Sequence, residues 1–153
     1  MKRLRAPKSV SLGAPLRAVV RNELRRVGLR ATPRRMHAYA LLAEAKEQGS
    51  HLTAEDMFRG MLEIGSRISL STVYRMLSDF EIAGLIERQR FLKGGVRFEL
   101  ASGDSHSHLI DEHTGDIVEF RAEDFGLQLG KIAAHYGCEV EKFTLSIYIT
   151  RTR

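Results

Sequence analysis

The rhythm of apolar and polar positions changes once along this chain. Leu16, Val19, Val20, Leu24 and Val27 recur at helical spacing, and Gly28 ends the run. "ATPRR" then offers Thr32 as an N-cap with Pro33 at the first helical position, which predicts a helix to about Gln48, stopped by Gly49. "HLTAEDMFRGML" starts again with Thr53 as cap, and Ala54, Met57, Phe58 and Met61 line one face. "ISLSTVYRMLSDFEIAG" predicts a fourth helix, capped by Ser69 and closed by Gly84, with Leu70, Val73, Leu77 and Phe80 turned inward.

Beyond Gly84 the pattern alternates. "LIERQRFLKGGVRFEL" reads as two strands around Lys93-Gly94-Gly95, so a helix–turn–helix followed by a hairpin predicts a winged helix. "ASGDS" reads as a hinge. "HSHLID" and "DIVEFR" read as strands around a His113-Thr114-Gly115 turn, "EDFGLQLGKIAAHYG" as a helix, and "CEVEKFTLSIYIT" as a long closing strand containing Cys138. The expected class is α+β: a basic tail (1–15), a winged-helix DNA-binding domain (16–100), a hinge (101–105) and a small α/β unit (106–150). About 50 residues rarely hold a core alone. The second unit is therefore expected to pair with a copy of itself as a dimerisation domain.

Charge sharpens this picture. The 153 residues carry a net +5, but residues 1–35 hold eleven Lys and Arg and one acid, Glu23, while the other 118 residues hold 13 bases and 18 acids. A basic front half points to a polyanion partner. On the fourth helix the outward residues near the N-terminus are Ser71, Thr72, Tyr74 and Arg75. A recognition helix enters the major groove by that end, where Arg bonds guanine, Tyr lies against a thymine methyl, and Ser and Thr suit phosphates. No apolar run approaches the roughly 18 residues of a membrane span. The basic start lacks the apolar stretch of a secretory signal, so a cytoplasmic protein without a membrane partner is expected. A single cysteine rules out a disulfide within the chain and a four-cysteine zinc site.

Of the six histidines, His106 and His108 stand two apart on an expected strand. Residues so spaced share a face and can bind one ion. His37, His113 and His135 read as surface or locally bonded residues, and Asp104, Asp111, Glu112 and His113 as solvated turn residues.

"GLRATPRR", "HLTAED", "ISLSTVYRMLSDFEIAGLIER", "VRFEL", "HSHLID" and "TGDIVEF" occur in an order and spacing that resemble the ferric uptake regulator (Fur) family over residues 16–150. The resemblance implies a homodimeric repressor on double-stranded DNA with an AT-rich palindromic operator, controlling metal uptake or homeostasis genes. It implies one divalent metal per chain, held by His51, Glu99, His106, His108 and Glu119. It also implies that Arg30 reaches the minor groove while Tyr74 and Arg75 read the major groove, although Arg34 and Arg35 are equally open as phosphate contacts. Three imidazoles and two carboxylates suit Fe2+ or Mn2+ in the cell, with Zn2+ as an alternative.

The chain departs from many members of that family. The first CxxC pair falls on Asp111 and Thr114 and the end, "ITRTR", has no second pair, so no structural four-cysteine zinc is expected. A further family site falls on Ser105, Ser107, Gly126 and Phe143, and it too is dismantled. Peroxide sensors of the family use aspartates where this chain has Glu99 and Glu119, which argues against peroxide sensing. Five protein ligands leave little room for an open coordination position, and no nucleophile motif occurs, so an enzyme is not expected. The competing reading is a DNA-binding regulator whose sensor is degenerate and independent of metal.

Overall fold

The computed structural model describes residues 12–91, 95–101 and 106–150, and the chain divides into two compact units, 1–101 and 102–153. The hairpin tip at Lys93-Gly94, the hinge positions 102–105 and most of the basic tail lie outside the described residues.

In the first unit, four helices precede a two-stranded antiparallel hairpin: α1 (Ala14–Arg26), α2 (Pro33–Glu47), α3 (Ala54–Glu63), α4 (Leu70–Ile82), β1 (Ile86–Phe91) and β2 (Gly95–Leu100). The expected caps close three of the helices. Thr32 accepts from Arg35 N and Ser69 from Thr72 N, while Thr53 and Asp56 form a reciprocal capping box. Gly84, at φ +69°, ends the α4 segment in the left-handed region, and the next residue's N–H returns to Phe80 O at 2.9 Å. Val20, Leu24, Leu41, Met57, Met61, Val73, Leu77 and Phe80 form the core, and Leu85, Ile86, Phe98 and Leu100 extend it under the hairpin.

Three details depart from the apolar pattern. Leu16 and Val19 are 40% and 57% exposed, because α1 packs mainly against α2, which covers only a narrow strip of it. Phe58 and Leu70 are half-buried at the edge of the core rather than inside it. Leu52, which shows no strand periodicity, forms an isolated bridge to Phe98, with N–H···O bonds of 3.1 and 2.8 Å running in both directions.

The second unit is a three-stranded sheet in the order β4-β3-β5, with one helix. β3 (Ser107–Asp111) is central, β4 (Ile117–Phe120) pairs antiparallel to it, and β5 (Ser146–Ile149) pairs parallel. α5 (Glu123–His135) has no buried residue, and Phe125, Leu127, Ile132 and Tyr136 are exposed. The long closing strand is corrected to four residues. β3 is only five residues long, and His108–Asp111 are all that Ser146–Ile149 pair with, so residues 138–145 have no strand ladder. Cys138 is thus not a strand residue. It is exposed, and its N–H bonds Ala133 O at 2.9 Å just past the end of α5. Asp111 is not a solvated turn residue either. It is 3% exposed, and its Oδ1 accepts from the N–H groups of His113 and Thr114, which fixes the β3–β4 turn.

Candidate metal ligands and DNA-reading surface

The Leu52–Phe98 bridge sets up the first group of candidate ligands. Antiparallel pairing of Leu52 with Phe98 puts His51 opposite Glu99, on one face of the short ladder. Their Nε2 and Oε2 atoms are 3.2 Å apart, and the side chains are 0% and 5% exposed. Sequence periodicity misses this link, because a one-residue bridge leaves no alternation to detect.

The second unit repeats the device. His108 lies directly across from Glu119 in the β3–β4 ladder, and His106 precedes His108 by two positions. The two imidazole rings are 4.9 Å apart at 81°. His106, His108 and Glu119 each offer one ligand atom within 4.8 Å of the other two. His108 is fully buried, His106 half-buried and Glu119 exposed. Each unit therefore presents an imidazole and a glutamate face to face across antiparallel backbone. Imidazole and carboxylate donors together suit a borderline divalent ion.

Two of the positions at which the resemblance implied a missing further site, Gly126 and Phe143, lie side by side. A Cβ on Gly126 would meet Phe143 Cε1 at 3.1 Å, so an aromatic edge fills the space beside that helix position. Ser107, between the two histidines, is 1% exposed and points to the opposite face of β3.

In the first unit, Ser71, Thr72, Tyr74 and Arg75 are all exposed on the first turns of α4. Ser69 Oγ is 3.0 Å from Ser71 Oγ and 2.8 Å from Thr72 Oγ1, so a hydroxyl cluster marks the helix start. Tyr74 O–H donates to Glu55 Oε1 at 3.0 Å; this bond, and then the Glu55 charge, hold the phenol pKa above its usual value. Arg30 is exposed in the α1–α2 connection. The two arginines left open as alternatives are engaged within the unit. Arg34 donates to Arg67 O at 2.9 Å, and Arg35 bonds Asp79 Oδ2 at 2.6 Å.

A helical bundle with a β-hairpin wing and an exposed polar face at the start of α4, joined in sequence to a small α/β unit carrying His and Glu donors, defines a winged-helix DNA-binding regulator of the metal-sensing class. The family profile "Ferric uptake regulator family" matches residues 26–148, and the chain belongs to that family. Its members are metal-responsive transcription regulators that bind DNA as dimers, and they are not enzymes. The chain is 39% identical over 132 residues to the ferric uptake regulation protein of Brucella abortus, covering 86% of this chain and 91% of that protein. The manganese-containing regulator structure from Pseudomonas aeruginosa is similar at a TM-score of 0.76 and 33% identity, over 88% of this chain and 99% of that one. The iron-containing regulator structure from Francisella tularensis is similar at 0.71 and 30%, over 82% and 93%. The single cysteine of this chain is not part of a CxxC pair. Among the described residues no helix is long and apolar enough to cross a membrane.

Proposed function

We propose that this chain is a cytoplasmic, metal-responsive repressor of metal uptake or homeostasis genes, acting as a homodimer on an AT-rich palindromic operator. The observation that carries the reading is the repeated facing of imidazole and glutamate: His51 with Glu99 in one unit, His108 with Glu119 in the other. One divalent ion per chain, Fe2+ or Mn2+ in the cell with Zn2+ as an alternative, would be held by His51, Glu99, His106, His108 and Glu119. The donor set fits such an ion, being three imidazoles and two carboxylates of intermediate hardness.

Within that reading, residues 16–100 read DNA, 101–105 act as hinge and 106–150 dimerise. When bound, the ion supplies positive charge and fixed coordination. Glu99 and Glu119 carry negative charge that disfavours bringing their units together until it is neutralised. His51 and Glu99, fixed by the Leu52–Phe98 bridge, transmit the position of the hairpin wing. Ser71 and Thr72 meet phosphates, Tyr74 and Arg75 read base edges in the major groove, and Arg30 enters the minor groove. The exposed apolar residues of α5 support dimerisation by packing. In fluorescence anisotropy with a palindromic AT-rich duplex, Mn2+ should tighten binding and a chelator should reverse the effect. Equal affinity with metal and with chelator would instead support the degenerate, metal-independent regulator.

A further inference from the structure

α1 separates its charges by face. At about 100° per residue, Arg17, Arg21 and Arg25 lie within about 80° of one another, beside the seam that buries Val20 and Leu24. Arg26 lies on the opposite side and is bonded to Glu23 at 2.9 Å. The three seam-side arginines are exposed and have no carboxylate partner among the described residues. Their field reaches α2: the pKa of His37 is lowered first by burial and then by the charge of Arg17. Arg21, Arg25 and Arg30 line one opening of about 560 Å³ together with Gly28, Leu29, Ala31, Thr32 and Pro33. The stripe thus continues into the residue assigned above to the minor groove.

We infer that α1 is a phosphate rail, a contact surface for the DNA backbone next to the groove that Arg30 enters. Eight residues of helix span about 12 Å, and one strand of duplex presents a phosphate every 3.4 Å or so along the axis. Three arginines over that length match a run of three or four phosphates on one strand. Arginine forks bond phosphate oxygens in pairs. Such contacts hold register without reading sequence. The rail therefore raises affinity for operator and random DNA alike, and it leaves selectivity to α4. The inference rests on the DNA-binding reading above, but not on the metal site or on the identity of the operator.

The test is the salt dependence of DNA binding by the full chain carrying Arg17→Gln, Arg21→Gln and Arg25→Gln together, with Arg26→Gln as control. The probes are an AT-rich palindromic duplex and a random duplex of equal length, measured by anisotropy from 50 to 200 mM salt. Each lost phosphate contact lowers the slope of log K against log salt by about 0.9, so three lower it by about 2.7 per chain and about 5.4 for the dimer, and flatten the fall across that range by about 40-fold per chain and about 1,800-fold for the dimer. The ratio of palindrome to random affinity should stay unchanged, Arg26→Gln should behave as the parent, and a triple Arg→Lys variant should keep the parent slope. An unchanged slope in the triple Gln variant, on the random duplex alone, overturns the rail. So does a loss confined to the palindrome, which would make these arginines base readers. If the parent itself shows no preference for the palindrome, the operator assignment fails instead, and the rail is still decided by the random duplex.

Discussion

Arg75 and Arg35 are both arginines of the first unit near the helix proposed to read DNA, and they should respond differently to truncation. Arg75 is exposed on α4 with no carboxylate partner among the described residues, so its five donors are available to a base edge. Arg35 is already used: its Nη2 bonds Asp79 Oδ2 at 2.6 Å, with side chains 23% and 48% exposed. A bidentate arginine–guanine contact contributes about 1–3 kcal/mol of discrimination. Arg75→Ala should therefore cut operator affinity by about 5- to 150-fold, at about 1.4 kcal/mol per tenfold, and should relax base preference at one position in each half-site. A partly exposed ion pair contributes only about 0.2–1 kcal/mol to stability. Arg35→Ala should accordingly lower thermal stability slightly and leave base preference intact. The assay is anisotropy on the palindrome, on single-base variants of it, and on random duplex. Equal weakening of operator and random DNA by Arg75→Ala would refute base reading by Arg75. A change of base preference in Arg35→Ala would refute the division of labour between the two arginines.

Thr53→Ala should cost about 1 kcal/mol by removing the α3 cap. Asp56 adds a pH signature. Burial would raise its pKa, but the Thr53 hydroxyl, the Thr53 N–H and Arg59 together outweigh that, and the folded pKa lies below its ordinary value of 3.8. A depressed folded pKa gives stability that is present above 3.8 and lost as pH falls through the lower folded value. Thermal melts of the parent should therefore weaken below that point, and Thr53→Ala should weaken less steeply; identical slopes would contradict the capping-box account. Glu55→Ala should lower the Tyr74 phenol pKa toward 10.0, seen as an earlier rise of tyrosinate absorbance, whereas an unmoved titration would show that Glu55 does not hold that ring. Light scattering should find a dimer with and without EDTA, since α5 leaves Phe125, Leu127, Ile132 and Tyr136 exposed and no cysteine pair supplies a structural zinc. A monomer in EDTA would mean that metal rather than packing joins the subunits.

Most of the first unit is legible in the sequence because its signals are local. Thr32, Thr53 and Ser69 cap helices through contacts within three residues, and periodicity of 3.6 identifies Val73, Leu77 and Phe80 as core. Leu16 and Val19 obey the same period yet stay exposed, since periodicity names a face without saying how wide a neighbour covers it. The pairing of His108 with Glu119 follows from strand period and a short turn. The pairing of His51 with Glu99 does not, because the bridge that creates it joins residues 46 apart with no repeating pattern. The closing strand reads too long for a related reason. Alternation in "CEVEKFTLSIYIT" signals extended chain, but the length of a strand is set by its partner, here a β3 of five residues.

The most direct test of the central claim is calorimetric titration of Mn2+ into the parent chain, with and without the palindromic duplex. If the His and Glu ligands couple metal to DNA, each ligand must tighten the other by the same factor. A 100-fold effect of metal on operator affinity, about 2.8 kcal/mol at about 1.4 kcal/mol per tenfold, requires a 100-fold tighter metal site on operator DNA. His108→Ala should abolish that difference while leaving the dimer and its weak, salt-sensitive DNA affinity intact. Equal Mn2+ affinity with and without the duplex in the parent, or an undiminished difference in His108→Ala, would contradict the account.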